Sequence, residues 1–585
     1  MTEETPRTVD ASGRVRTARA KAREGVLAVL AGFVLSALFN LPVVLHPKSL
    51  VTGEPGDPLL QAWQLAWQDH FVTTGGSLWT GNTLFPANGS YAFSDSLLGY
   101  LPLSVFGDGP YAALMRYNAA FLIACALAFA GAYLLVRQLG GNWAAAALAG
   151  LAFAWAPWRL SHISHLNILS SGGIALALFA LARGHGFSLR HGRRPELSRP
   201  WWAFVGWLVA AWQVTLGFAT GMPFVYLLGG IGVVLLVTAV RRRRPFGTRL
   251  AVADGVGAVV LVVVTYLMTI PYRRVVDEYG FTRSWSEVQS YSPPPQGLLA
   301  APTETWFWQR GPFNLRSGVF ADPAWLSLPG APEKLLFPGL AVLLLAVAGL
   351  FVSVWPVRVR VGLGVSAVVV TAFALGSQFF GGHFTYYLLW RYLPGWDALR
   401  TPGRLMLWVI LLLALLAAGA LTKCAQLARE RSDAPYLRSL VGVALLLALL
   451  EGVPAEPHSS PTGIPPDLAD VFESSPRPSL LLPVTQGLGE FSEYVYQFWS
   501  TDGFPQLANG HNGLLPPQYE EIMEAAKTFP DAHSVAVLRK YGIRQVLLLK
   551  AAAADGPYAQ AVLRPLDGLG VTRRESTDLV TFTLN

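Results

Sequence analysis

The chain has 585 residues, 52% of them hydrophobic and only 14% charged, with a formal net charge of +8. Ordinary soluble proteins are about a quarter charged, so a soluble chain of this length is excluded, and so is intrinsic disorder, which needs low hydrophobicity and high charge. The only two cysteines, Cys125 and Cys424, lie in or beside apolar runs, which excludes a disulfide scaffold.

A mean hydropathy of +0.40 is modest for a chain wholly inside lipid, so many spans and a sizeable water-facing part are expected together. In chain order, a basic tail (1–25) precedes a first apolar run, Val26–Leu45, with no small-x-small cleavage site after it, which reads as a retained signal anchor. External loop 47–109 opens with GEPGDPLLQAWQLAWQDHF. Its apolar spacing predicts an aromatic-rich amphipathic helix at the headgroup level, with Asp69 on a solvated face. Further spans are expected near Tyr111–Val136, Trp143–Trp158, Asn167–Ala182, Trp201–Leu216, Met222–Val240 and Leu250–Ile270. Loop 272–334, rich in Pro, Trp, Ser and Tyr, reads as a loop system with short helices. Spans resume near Leu335–Trp355, Val361–Phe379, Leu405–Leu421 and Leu440–Leu450, which makes about eleven, the third, fourth and last being short. A Pro/Ser-rich linker (454–475) follows the membrane domain (26–453). Segment 476–585 then alternates strand-like SLLLPV, helical EEIMEAAKTF, a helix at Ser534–Tyr541, strand-like IRQVLLLK, helical PYAQAVLRPL and strand-like LVTFTL. The fold class expected is a polytopic α-helical membrane protein with a small C-terminal extracytoplasmic α/β domain.

Lys and Arg in short loops mark the cytoplasmic side. An odd number of spans with the N-terminus inside places the tail, the Arg137 turn, Arg183–Arg199, the run Arg241–Arg244, the Arg358/Arg360 turn and Lys423–Arg438 there, roughly half of all basic residues. Most of the +8 is therefore topological, and the RRRR run between two apolar spans is a membrane-surface feature rather than a nucleic-acid patch. The expected location is the bacterial inner membrane, multi-pass, N-terminus cytoplasmic and C-terminus extracytoplasmic.

No phosphate-loop, nucleophile-elbow or H-E-x-x-H motif is present. Asp57, just after the first span, suits a general base or a metal-holding carboxylate, and equally a turn or helix cap. Asp95, in YAFSDSLLG, is a second carboxylate with the same two readings. In APWRLSHISHLNILSSGG, Arg159, His162, His165 and Asn167 gather at the external membrane boundary, where polar groups tend to line cavities. Arg159 with a histidine suits a phosphate-bearing headgroup. A zinc pair at His162 and His165 lacks a third ligand at metal spacing, and plain interfacial anchoring is the remaining reading. Arg391, Arg400 and Arg404 of RYLPGWDALRTPGRL lie outside, against the positive-inside trend, which favours a phosphate ligand over local pairing with Asp397.

The long first external loop with its early acid resembles the GT-C superfamily of membrane glycosyltransferases. GDPLLQAWQLAW, FPANGSYAFSDSLLG, APWRLSHISHLNILS, LFPGLAVLLLAVAGL, LPGWDALRTPGRL and NGHNGLLPP, in that order from about Asn40 to Val546, are similar to a related bacterial multi-pass family. The resemblance implies transfer of a sugar from a polyprenyl-phosphate carrier to an envelope acceptor on the outer face. Asp57 then corresponds to the base, Asp95 to a second acid, Arg159 and His165 to the polar pair at the carrier phosphate, and Arg400 with Arg404 to the basic pair before the tenth span. A divalent metal is the one cofactor the resemblance raises, but SHISHLN stands where several GT-C enzymes carry a D-x-D-like pair. The rival classes are a flippase for lipid-linked saccharides, for which neither repeats nor paired broken helices are evident, and a non-catalytic envelope scaffold. Partners expected are the carrier-linked sugar, its acceptor and membrane lipids, and no nucleic acid.

Overall fold

The computed structural model describes residues 11–104, 107–241, 247–309, 330–431, 435–455, 458–474, 477–485, 489–490, 492–553 and 558–585. Its main helices are α1 (Ala11–Phe39), α2 (Gly56–Thr74), α3 (Gly109–Leu139), α4 (Trp143–Trp155), α5 (Gly172–Gly184), α6 (Pro200–Leu216), α7 (Phe218–Arg241), α8 (Thr248–Tyr279), α9 (Leu340–Phe351), α10 (Val357–Ala374), α11 (Met406–Glu430) and α12 (Pro435–Glu451). Among the described residues seven helical stretches are long and apolar enough to cross a bilayer, those of α1, α3, α5 with its preceding turn, α7, α8, α10 and α11. Shorter helices stand at the four other places where apolar runs occur.

Burial sorts these helices into two populations. The apolar windows of α3 and α11 are 72% and 78% buried, whereas those of α1, α7, α8 and α10 are 11–17% buried. The first pair forms the centre; the others present Val, Leu and Ile outward, such as Val233, Leu236, Val262 and Val368, a surface stable only against lipid. Helix α4 explains why a length rule counts it poorly. Its 13 residues rise about 20 Å, short of the roughly 30 Å hydrocarbon core, yet nearly all of it is buried, because it sits between α3 and α11 instead of against lipid. Small residues permit this. A side chain at Gly150 would strike the Phe129 ring of α3 at 2.7 Å.

Helix α2 departs from expectation. It is not an interfacial surface helix: Leu59, Leu60, Trp63, Leu65 and Trp67 are all buried. Asp69 is not solvated either. It is buried and ion-paired with the fully buried Arg116 of α3, since a lone buried carboxylate would be far costlier than a paired one.

In the C-terminal part, strands Ser479–Leu482, Gln545–Leu549, Leu579–Leu584 and Val571–Glu575 form one sheet in that spatial order, the first pair parallel and the others antiparallel. Helices Pro517–Ala526 and Ala532–Lys540 cover it, the second opened by an Asp531 capping box. The helix expected over PYAQAVLRPL is instead a series of turns at 558–563, with its start outside the described residues. The core under this sheet takes in Leu84, Ala92 and Phe93 of the segment after α2 and Val275 of α8. Backbone bonds from Leu84 to Asn509 and from Leu507 to Asn82 join the two regions, and Val51–Thr52 pairs antiparallel with His458–Ser459. The C-terminal part thus rests directly on the loop that carries Asp57.

Candidate active site

Asp57 lies in the first turn of α2, where the helix dipole favours a carboxylate. Gln61, Gln64 and Gln68 follow on the same face at helical spacing and are buried. Each holds a loop. Gln61 Oε1 accepts from Leu166 N at 2.9 Å, Gln64 donates to the Asp95 carbonyl at 2.8 Å, and Gln68 donates to Tyr91 Oη and the Ser96 carbonyl. Because Gln61 fixes Leu166, the preceding His165 is brought over Asp57, with Nε2 at 3.2 Å from Oδ2. Both side chains stay partly open, 24% for His165 and 32% for Asp57.

Beneath this pair runs a second chain of contacts. The His165 ring meets the His162 ring edge-on at 5.4 Å, and His162 Nε2 lies 3.9 Å from Glu333 Oε2. Glu333 Oε1 accepts from Arg404 Nε at 2.9 Å and Nη2 at 2.6 Å. Burial pushes His162 down to about 3, so it is neutral at pH 7. Burial alone would raise Glu333, but the Arg404 guanidinium outweighs it and holds the carboxyl down at about 2. With His162 neutral, Arg404 is the true ion partner. Six buried polar atoms here have no protein partner: Trp158 Nε1, His162 Nδ1 and Nε2, His165 Nδ1, Asn167 Oδ1 and Glu333 Oε2. Native proteins leave few such atoms unpaired, so a cluster of them marks a place built for more than packing.

The other site residues expected from sequence fall differently. Asp95 is committed inside the protein: Oδ1 accepts from Phe218 N (2.7 Å) and Ala219 N (3.2 Å), capping α7, and Oδ2 accepts from Asn167 Nδ2 at 2.8 Å. Arg159 is turned inward and 1% exposed, donating to Ser171 Oγ and the Leu169 carbonyl at 2.7 Å each. The void beside it is about 10 Å³, roughly the room of one water, and the guanidinium ties the 169–171 loop. Arg400 belongs to a neighbouring cluster. Its Nη1 donates to Glu287 at 2.7 Å beside Arg283, and its guanidinium stacks over Tyr291 at 4.7 Å.

Glu333 went unnoticed in the sequence because its partner is 71 residues away; the only signal was an acid beside a span with unmatched arginines. Tyr494 and His511 were also missed. Their rings pack at 4.3 Å, and His511 N is held by Gln497 Oε1 at 3.1 Å. Helix Glu493–Trp499, which carries Tyr494, packs against α2, so the C-terminal part lies against the helix that carries Asp57. Among the described residues no three His, Cys, Asp or Glu side chains converge to hold a metal. The expected histidine pair is divided, His165 toward Asp57 and His162 toward Glu333.

Together, these helices and loops form a polytopic helical membrane fold similar to that of a solved membrane glycosyltransferase. The particular likeness is to the mycobacterial arabinofuranosyltransferase AftD, at a TM-score of 0.54 and 15% identity, over 96% of this chain and 40% of that one. The chain thus spans about two fifths of AftD's length. Archaeoglobus fulgidus oligosaccharyltransferase AglB (TM-score 0.43, 13% identity, 92% of this chain, 71% of that one) and Cupriavidus metallidurans ArnT (0.37, 14%, 98%, 99%) superpose more loosely. Family models and curated protein sequences give no match.

Proposed function

We propose that the chain is an inner-membrane glycosyltransferase that moves a sugar from a polyprenyl-phosphate carrier to an acceptor hydroxyl on the extracytoplasmic face. In this reading eleven helices cross the membrane, the N-terminus is cytoplasmic, and 476–585 is an extracytoplasmic α/β domain. The observation that carries it is the Asp57–His165 pair, partly open and set over orphaned buried polar atoms, in a GT-C fold.

The chemistry needs a base for the acceptor and a charge partner for the leaving phosphate. Asp57 is the base. His165 Nδ1 is buried, so with its ring proton on Nε2 the histidine orients Asp57 and leaves the other carboxylate oxygen for an acceptor hydroxyl. As the acceptor oxygen bonds to the sugar carbon, the sugar–phosphate bond breaks and the proton passes to Asp57. Arg404 spends Nε and Nη2 on Glu333, which leaves Nη1 to meet the developing negative charge. Asp95 and Arg159 act by holding the loops.

The test is purified full chain with radiolabelled polyprenyl-phosphate sugars. Asp57→Asn keeps the shape and removes the base, and is expected to lower turnover about 10²- to 10⁴-fold with donor binding retained. A wild-type protein that neither binds nor consumes any donor would overturn the reading. A flippase would instead move the donor across vesicles without consuming it, and Asp57→Asn would leave that transport intact.

A further inference from the structure

The far end of α3 carries a second polar site. Arg116, beside α2, and Arg137 are 21 residues apart on this one helix, about 32 Å at 1.5 Å per residue and so about one hydrocarbon thickness. Around Arg137 lies a cavity of about 200 Å³ lined also by Asn142, Arg190, Thr422, Gln426 and Arg429. At ~30 Å³ per water it is far larger than a packing defect.

Its wall is built from four segments. Asn142 caps α4, accepting from Ala145 N at 2.8 Å, and its own N–H donates to Thr422 Oγ1 of α11 at 3.2 Å. The positive end of the α4 dipole therefore points here. Arg137 is held by Glu24 of α1, with Nη2 at 3.0 Å from Oε2. Arg190 faces Gln426, whose amide oxygen, turned toward it, accepts from Nη1 and Nη2 at 3.1 Å each. That partner is neutral. Among the described residues no carboxylate pairs with Arg190 or Arg429, and none lines the cavity. Three guanidiniums and a helix N-terminus thus face one carboxylate, leaving an uncompensated positive charge around space of ligand size. Loop basicity under the positive-inside rule explains arginines that splay into solvent, but not their convergence from three elements on one cavity.

We propose that this cavity binds a phosphate monoester or diester, at the end of the helix bundle opposite Asp57. Arginine forks suit that chemistry because two N–H groups match two phosphate oxygens. The phosphate comes either from the headgroup of an anionic phospholipid or from a free phosphorylated molecule.

The experiment follows thermal unfolding of the detergent-solubilised full chain by tryptophan fluorescence. One arm compares phosphatidylglycerol with phosphatidylcholine at equal mole fraction in mixed micelles; the other compares inorganic phosphate with chloride at equal ionic strength. A midpoint raised by phosphatidylglycerol alone assigns the lipid, and one raised by phosphate assigns the free ligand. Either supports the site if the shift is lost in Arg190→Gln. Arg429→Gln, which alters an exposed side chain and so leaves folding intact, is expected to weaken binding about tenfold, the worth of one charge-assisted contact. If neither probe raises the midpoint, or if both variants respond as wild type does, the proposal fails.

Discussion

Two buried glutamates, Glu333 at 5% exposure and Glu493 at 3%, respond to burial in opposite directions because their neighbours differ. Glu333 has Arg404 against it and is held at about 2. Glu493 accepts only neutral donors, Asn509 Nδ2 at 3.2 Å and Gly510 N at 2.9 Å, and burial pushes it up to about 7. The consequence is a pH-dependent stability. The unfolded chain releases this proton near 4.5, whereas the native chain keeps it to about 7. Between those values the native state binds more protons, so stability falls as pH rises through the window and levels off above it. Moving the proton's release from near 4.5 to about 7 is worth on the order of 3 kcal/mol. Glu493→Gln, neutral at every pH, is expected to remove most of the difference in unfolding free energy between pH 5 and pH 8. A wild type equally stable at both values would contradict this. The loop at stake, Asn509–Gly513, carries His511 toward Asp57, so loosening it at high pH is also expected to cost activity.

At the scale of elements, α2 does the organising, and its sequence was legible only in part. A helix is evident from spacing, but spacing places Asp69 on a solvated face when it is buried against Arg116, and it gives no sign that Gln61, Gln64 and Gln68 serve buried loops. Spacing gives the direction of a polar face; it does not say whether water or backbone lies opposite. The same limit hid the commitment of Arg159 to its own loop and the Glu333–Arg404 pair. Asp57 and His165 could be singled out because both stand beside an apolar run, where a polar residue needs a reason. Their meeting depends on Gln61, which yields a test. Gln61→Leu leaves Leu166 N buried and unpaired, at a cost of about 1–3 kcal/mol, and lets His165 drift from Asp57. Turnover is expected to fall with little change in KM, since the base loses its orientation while ligand contacts remain. Equal loss in an Asp57→Asn background would show that Gln61 acts on folding alone; a vanishing effect there confirms that it acts through Asp57. The short α4 follows the same logic, since apolarity was visible in sequence and its enclosure between α3 and α11 was not.

For the whole molecule the question is which face of the membrane Asp57 occupies. In the proposed orientation it lies opposite the basic loops, and the fold makes that orientation testable far from the site. Val51–Thr52, just ahead of Asp57, pairs with His458–Ser459, so the nearby Gly463 shares a face with Asp57. Gly247 caps α8, whose 32 residues separate it from the Tyr279 end, a rise of about 48 Å. Both glycines have open space where a side chain would project, so Gly463→Cys and Gly247→Cys are expected to fold normally. Of the two native thiols Cys125 is buried and Cys424 half-buried; changing both to serine removes background labelling. In intact cells a membrane-impermeant maleimide is expected to label Gly463→Cys, and to label Gly247→Cys only after permeabilisation. The opposite pattern would turn the molecule over and place Asp57 in the cytoplasm, where an external acceptor is out of reach. It would equally move the arginine-lined cavity to the outer leaflet. One labelling experiment therefore fixes both sites at once, because α3 holds them a bilayer apart.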